Sequence, residues 1–251
     1  MTRAILITGG AKRLGAQIAR RFASGDWHVV LHANHSADDA RALAASLKAA
    51  GAGADVVTGD LEDPSTPRAL ITSARSAAPG LCALVNSASL FSYDDPTAID
   101  DALWMRMSRI NALAPLRLAA ELVAAIDGPA RIVNVLDQKL ANLNPDFFSY
   151  TASKAALAAA STMMAMSFGA RARIVNVAPG LTLPSADQTQ AEFEAVAAVN
   201  ALQRVTRPSD VADTVYFAVN GPIASGQTLF ADSGQHLVPL DRDVMFQTRQ
   251  G

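Results

Sequence analysis

The chain has 251 residues, half of them apolar and 18% charged, with a net charge of −2 and one cysteine, Cys82. That length and apolar content suffice for one large core, and charge this balanced, with no long run of either sign, argues against a nucleic-acid or membrane surface. A lone thiol rules out a disulfide scaffold and a cysteine-built metal site, and it fits a reducing cytoplasm. Short apolar or β-branched runs then recur along the chain at Ala4–Thr8 and at 28–32, 55–58, 83–86, 131–135, 173–178 and 227–231. Alanine-rich helical patterns separate them at 14–24, 37–50, 67–78, 100–125, 152–169 and 209–219. Strands alternating with helices predict βαβ units and a parallel sheet covered on both faces, folded as one domain over residues 1–251. The near-continuous apolar strands Ala4-Ile5-Leu6-Ile7 and Ile132-Val133-Asn134-Val135 suit burial on both sides.

Three stretches stand apart from this rhythm. No basic leader precedes the apolar run that begins at Ala4. The uncharged stretch 155–170 is shorter than a bilayer needs and contains Ser161, Thr162 and Ser167, so it reads as a helix buried in the core or against another subunit. Residues 181–207, with Thr182, Pro184 and Asp187, are too long for an ordinary connection and predict a lid over a site. The four histidines, His28, His32, His35 and His236, do not cluster with acids at ligand spacing, and no metal site is expected.

The first strand runs into a helix through Thr8-Gly9-Gly10-Ala11-Lys12-Arg13-Leu14-Gly15. Such a turn aims backbone N–H groups and the positive helix end at a pyrophosphate, with Gly9 for the tight turn and Gly15 for close helix packing. A turn that merely needs glycine would read the same way. Arg13 replaces the usual middle glycine, and its guanidinium suits a phosphate. The second strand ends His32-Ala33-Asn34-His35-Ser36, with no carboxylate before Asp38. Enzymes that use NAD place an acid there for the ribose hydroxyls, and an acid would repel the 2′-phosphate of NADP. The missing acid, together with Lys12 and Arg13, predicts NADP(H), although His32 or His35 alone reads as an ordinary strand-end histidine.

Tyr150-Thr151-Ala152-Ser153-Lys154 puts a tyrosine and a lysine one helical turn apart on one face. An ammonium beside a phenol favours the phenolate, so Lys154 is expected to lower the pKa of Tyr150. The pair then suits proton delivery to a carbonyl or imine as a hydride arrives.

Taken in order, Thr8-Gly9 to Gly15, Asn86-Ser87-Ala88-Ser89, Asn111, Tyr150 with Lys154, and Pro179-Gly180 resemble the short-chain dehydrogenase/reductase family over nearly the whole chain. The resemblance implies a single-domain Rossmann-like α/β fold, a doubly wound sheet of seven mostly parallel strands flanked by helices. It implies that Asn111, Tyr150 and Lys154 are three members of a catalytic tetrad. It also implies that Asp60 and Leu61 lie at the adenine, that Asn86, Ser87 and Ala88 border the cofactor, and that Pro179 and Gly180 line the nicotinamide pocket. Read without the family, Asp60 is a turn or helix-capping residue. The family usually has serine thirteen residues before the tyrosine, where this chain has Asp137. A carboxylate is an unhelpful charge beside a neutral ketone, but it can stabilise or protonate the C=N of a nitrogen heterocycle.

That substitution narrows the resemblance to the pteridine and dihydromonapterin reductases, which share the Gly9-x-x-x-Arg13-x-Gly15 turn and an aromatic residue where Phe91 stands. The substrate-binding set implied is Ser89, Phe91, Asp137, Tyr150 and Leu181, although Phe91 reads equally as a packing aromatic. The branch implies an NADPH-dependent reductase of a small pterin-like molecule. Lys154 would also hold the nicotinamide ribose, and Asn111 would support a proton-carrying water. Two other readings compete: a ketone or 3-oxoacyl thioester reductase of the same family, and a cofactor-binding regulatory protein that kept the fold. The family also implies a cytoplasmic homo-oligomer, a dimer or tetramer, joined through the helical patterns at 100–125 and 152–169.

Overall fold

The seven apolar runs pair into one all-parallel sheet in the computed structural model, which describes residues 2–184 and 188–246. Its strands are β1 (Ala4–Thr8), β2 (His28–Ala33), β3 (Ala54–Thr58), β4 (Leu81–Asn86), β5 (Ala130–Val135), β6 (Ala172–Pro179) and β7 (Thr228–Ala231), in the order β3-β2-β1-β4-β5-β6-β7. The helices are α1 (Arg13–Ala23), α2 (Ala37–Ala49), α3 (Thr66–Ala77), α4 (Asp101–Met107), α5 (Ala114–Ala125), α6 (Phe148–Phe168), α7 (Gln190–Val196) and α8 (Pro208–Asn220). This is a doubly wound Rossmann-like fold. The strand order reverses between β1 and β4, and the reversal opens a crevice at the carboxyl ends of the strands.

Side chains alternate across a strand, so each β1 residue commits to one face. Ile5 and Ile7 enter a fully buried layer with Ile18 and Phe22 of α1, Leu43 of α2 and Val215 of α8. Ala4 and Leu6 enter the opposite layer with Leu70 of α3, Leu118 of α5 and Phe168 of α6. Each large aliphatic side chain sealed this way contributes roughly 1.5–3 kcal/mol. A row of asparagines crosses the middle of the sheet, with Asn86, Asn134 and Asn176 in register on β4, β5 and β6. Asn86 Nδ2 donates to Asn134 Oδ1 at 2.8 Å, and Asn134 Nδ2 donates to Ser161 Oγ on α6 at 2.8 Å. Buried polar links of this kind fix the height of α6 over β5.

Three elements differ from their sequence patterns. The helix read over 100–125 is broken by a π-helical turn, Ser108–Leu113, that carries Asn111. Such bulges re-aim a side chain, and here the Asn111 amide is drawn inward to Leu90 and Ser153. Helix α6 begins at Phe148, earlier than its alanine-rich pattern suggests. Asp94 caps it from far away in sequence: its carboxylate accepts Ser149 N–H at 3.0 and 3.2 Å and the Ser149 hydroxyl as well. The expected lid contains α7, started by a reciprocal cap in which Thr189 Oγ1 accepts Glu192 N–H and Glu192 Oε2 accepts Thr189 N–H. Asp187, named with that stretch, lies outside the described residues. Among the described residues, no helix is long and apolar enough to cross a membrane, and no group of side chains is arranged to hold a metal.

Candidate active site

The crevice begins at the β1–α1 turn. Gly9 has φ +63°, and a side chain there would meet Ala88 Cα at 2.9 Å, so the turn lies directly against the segment after β4. A methyl on Gly15 would fall 2.1 Å from Gly9 O, which leaves glycine as the residue that lets α1 start at that point. Thr8 Oγ1 locks the two segments together by accepting Ser87 and Ala88 N–H at 3.0 and 3.1 Å. Helix α1 starts with no side-chain cap, so its first amides face the crevice unspent. The crevice is lined by Gly9, Lys12, Arg13, Leu14, Gly15, Ser87, Ala88, Ser89, Phe91, Asp137, Tyr150, Lys154, Pro179 and Gly180.

The other residues expected at the cofactor take these places in the protein. Buried His32 uses both ring nitrogens within the protein, one toward Gly9 N–H at 3.4 Å and one toward Gly59 O at 3.0 Å. Burial holds its pKa below the ordinary histidine value, so it is a neutral brace for the turn with no donor to spare for a phosphate. Asn86 is drawn into the asparagine row, and Leu61 packs into the core beside Leu70. Asp60 is exposed and accepts Glu62 N–H at 2.9 Å, a turn role that can coexist with the expected adenine contact. Arg13, expected at the 2′-phosphate, has φ +49° and donates to Pro184 O at 2.7 Å, which ties the turn to the start of the lid segment. Lys12 pairs with Asp39 at 2.9 Å, and Asn34 and His35 stand exposed at the end of β2 with Ser36 half-buried beside them.

Farther in, Tyr150 Oη donates to Asp137 Oδ2 at 2.9 Å, and Asp137 Oδ1 accepts Lys139 N–H at 2.9 Å. Lys154 Nζ, buried, donates to Val135 O at 2.7 Å. Burial pushes the Asp137 carboxyl up; the hydrogen bonds from Lys139 and Tyr150 and the charge of Lys154 oppose this, and the charge of Asp243 adds to it. Burial and the neighbouring Asp137 hold Tyr150 well above the ordinary phenol value. This runs opposite to the lowering expected from Lys154: burial first, and then the Asp137 carboxylate bonded to the phenol, sets the direction. Lys154 is itself pushed down to about 8 by burial, with Asp137 acting the other way.

The Asn111 side chain spends its whole hydrogen-bonding capacity within the protein. Its Oδ1 accepts Leu90 N–H at 2.7 Å and the Ser89 hydroxyl at 3.2 Å, and its Nδ2 donates to Leu90 O at 2.9 Å and Ser153 Oγ at 3.0 Å. Ser153 in turn donates to Tyr150 O at 2.6 Å. Asn111 therefore joins the 89–91 segment to the Tyr150 turn.

An inner pocket continues from the crevice. It is walled by Arg13, Phe91, Asp137, Tyr150 and Leu181, and by residues that the sequence did not suggest, among them Lys139, Phe147, Gln235, Asp243, Val244 and Met245. Phe91 stacks on Phe147 with ring centres 4.4 Å apart and meets Tyr150 edge-on at 4.7 Å, yet it stays 43% exposed. Leu181 N–H donates to Gln235 Oε1 at 2.9 Å, which holds the start of the 181–207 stretch at the pocket.

The family described as short chain dehydrogenase matches residues 3–195. Among solved structures, the chain is similar to FolM alternative dihydrofolate reductase 1 from Brucella canis, complexed with NADP, at 38% identity and a TM-score of 0.90 over 96% of each chain. It is also 27% identical to a dihydromonapterin reductase of Citrobacter koseri, over 93% of this chain and 96% of that one. The 3beta-hydroxysteroid dehydrogenase 1 of Eggerthella lenta is 29% identical over 94% of both chains. Such relatives fit the pteridine-reductase-like branch. With the strand order, the glycine turn and the Tyr150–Lys154 pair, the match over most of its length makes the chain an oxidoreductase of the short-chain dehydrogenase family.

Proposed function

We propose that this protein is an NADPH-dependent reductase of a pterin or a similar C=N heterocycle. The observation that carries the reading is the Tyr150–Asp137 hydrogen bond in a pocket walled by Phe91 and Phe147. The crevice fits a dinucleotide: its cradle has no room for a Cβ on Gly9 or Gly15, and the uncapped start of α1 faces it. NADP bound to the Brucella relative supports the choice of cofactor. Gly9, Arg13, Leu14, Gly15, Ser87 and Ala88 would hold its phosphates and sugars, Pro179 and Gly180 its nicotinamide, and Lys12, Asn34, His35 and Ser36 its 2′-phosphate. When bound, it supplies the hydride.

The protein's own groups handle the proton. Tyr150, held protonated far beyond neutral pH, gives its proton to the substrate nitrogen, and Asp137, whose carboxyl is lifted by burial, returns one along the same bond. Lys154 keeps a positive charge beside the pair and reaches the cofactor ribose. Ser89, Phe91 and Leu181 contact the substrate, and Phe91 offers a flat surface to a flat ring. Self-association and a cytoplasmic home belong to the same reading; Met163 and Met166, 63% and 80% exposed on α6, support the first.

Similarity to the Eggerthella steroid dehydrogenase favours a second reading, a carbonyl reductase. Oxidation of NADPH by the purified protein separates the two when dihydropterins, dihydrofolate and a 3-oxoacyl thioester are offered in turn. Turnover confined to the pterin compounds is expected, and turnover confined to the thioester overturns the proposal.

A further inference from the structure

The inner pocket is completed by a strap near the chain's end, residues 242–246, whose attachment exceeds what a loose tail needs. The Asp146 carboxylate, its side chain only 2% exposed, accepts Arg242 Nε and Nη2, each at 2.8 Å, and Asp243 N–H at 2.7 Å. Lys139 Nζ, equally buried, donates to Asp146 O at 2.6 Å and pairs with Asp243 Oδ2 at 3.2 Å. Phe246 packs edge-on against Tyr93 and stacks with Phe147. Sequestering these charges costs desolvation, and none of them is required by the Tyr150–Asp137–Lys154 machinery. What the arrangement fixes is the Asp243 carboxylate on the pocket wall.

That carboxylate keeps unspent capacity. Its Oδ1 accepts Met245 N–H at 3.1 Å and its Oδ2 accepts Lys139, against about four lone-pair sites on an ionised carboxylate. The wall therefore presents two acceptor groups, Asp137 and Asp243, beside the rings of Phe91 and Phe147. A ligand matched to it is flat and carries N–H donors, which a simple ketone or thioester lacks.

We propose that Asp243 is a specificity-determining residue that accepts a hydrogen bond from the exocyclic amino group of an aminopyrimidine-type heterocycle, with Lys139 and Asp146 as the positioning residues that hold it. The inference rests on the pterin reading and assigns the strap as the part of the pocket that reads the heterocycle's amino edge. Its test compares a dihydropterin, which bears an exocyclic amino group, with the matching dihydrolumazine, in which oxygen replaces that group. The wild type should prefer the dihydropterin by about tenfold or more in kcat/KM, the size expected for a hydrogen bond to a charged group. In Asp243→Asn, KM for the dihydropterin should rise roughly tenfold to a hundredfold while kcat changes less than about threefold. The preference should collapse, and NADPH affinity, read by fluorescence, should stay unchanged.

Absence of wild-type turnover with either heterocycle would sink the pterin reading and this inference together. Wild-type turnover of both at equal efficiency would overturn this inference alone, whatever the behaviour of the variant. So would an Asp243→Asn protein that keeps both its KM and its preference, or one that loses only kcat.

Discussion

Tyr150 and Asp137 lie thirteen residues apart in the chain and meet through a 2.9 Å hydrogen bond, phenol to carboxylate, inside the pocket. Asp137 strengthens the phenol's hold on its proton, whereas the bond from the phenol lowers the carboxyl's. Burial and Asp137 keep the phenol protonated, while burial keeps the carboxyl above its ordinary range despite the bonds it accepts.

This relationship fixes a pH dependence. Tyr150 does not ionise near neutrality, and burial lifts the Asp137 carboxyl above its ordinary value, with the Lys139 N–H and the charges of Lys154 and Asp243 facing it. Turnover in the reductive direction should fall as pH rises through the raised pKa of Asp137, and Asp137→Asn should flatten that limb. Stability follows the same sign. A raised folded-state pKa stabilises fully below the ordinary carboxylate value, about 3.9, and that contribution is lost as pH climbs through the raised one. The Asp137→Asn protein should therefore gain in melting temperature over the wild type at neutral pH and not at pH values near 3. Parallel melting curves across that range would contradict the assignment.

Lys154 makes a second case, with the opposite sign. Its pKa falls from 10.5 to about 8 on burial, so its charged form is a cost of folding. That cost is complete below the folded value and disappears as pH rises toward the unfolded one, a difference of roughly 3 kcal/mol. Lys154→Met should abolish turnover yet stabilise the fold at pH 7, by up to that amount less what the unpaired Val135 carbonyl loses. Denaturant melts at neutral and strongly alkaline pH give the check: the advantage should shrink between them.

Much of this site is visible in the sequence because its spacing is local. Tyr150 and Lys154 share a helix face, and the glycines of the β1–α1 turn follow a strand directly. The parallel sheet and its two-sided core follow from the alternation of apolar runs with helical patterns. Other features depend on pairings between remote segments, which no local pattern encodes. Asp94 caps α6 from 55 residues away, and Asp243 reaches Lys139 across 104. In sequence His32 reads as a phosphate ligand because it lies at a strand end that lacks an acid; only the fold shows both nitrogens spent on Gly9 and Gly59. Asn111 was legible as a position but not in its role, because its four partners lie on Ser89, Leu90 and Ser153.

Those partners give a prediction for Asn111. Asn111→Ala leaves both Leu90 backbone groups without their partner, at a cost of about 1–3 kcal/mol. The 89–91 segment should loosen and carry Phe91 with it. KM for a flat substrate should then rise more than kcat falls, with NADPH affinity nearly kept. A variant that loses kcat alone would show instead that the amide itself serves the proton.

The central claim is that Asp137 is there for a protonatable C=N, and replacing it by the serine usual in the family tests this most directly. Rates of NADPH oxidation by wild type and Asp137→Ser should be measured side by side with a dihydropterin and a 3-oxoacyl thioester. The account predicts that dihydropterin turnover falls by about a hundredfold or more, the scale of a lost general acid, while turnover of the thioester holds or rises. Dihydropterin turnover that survives the change would contradict the account.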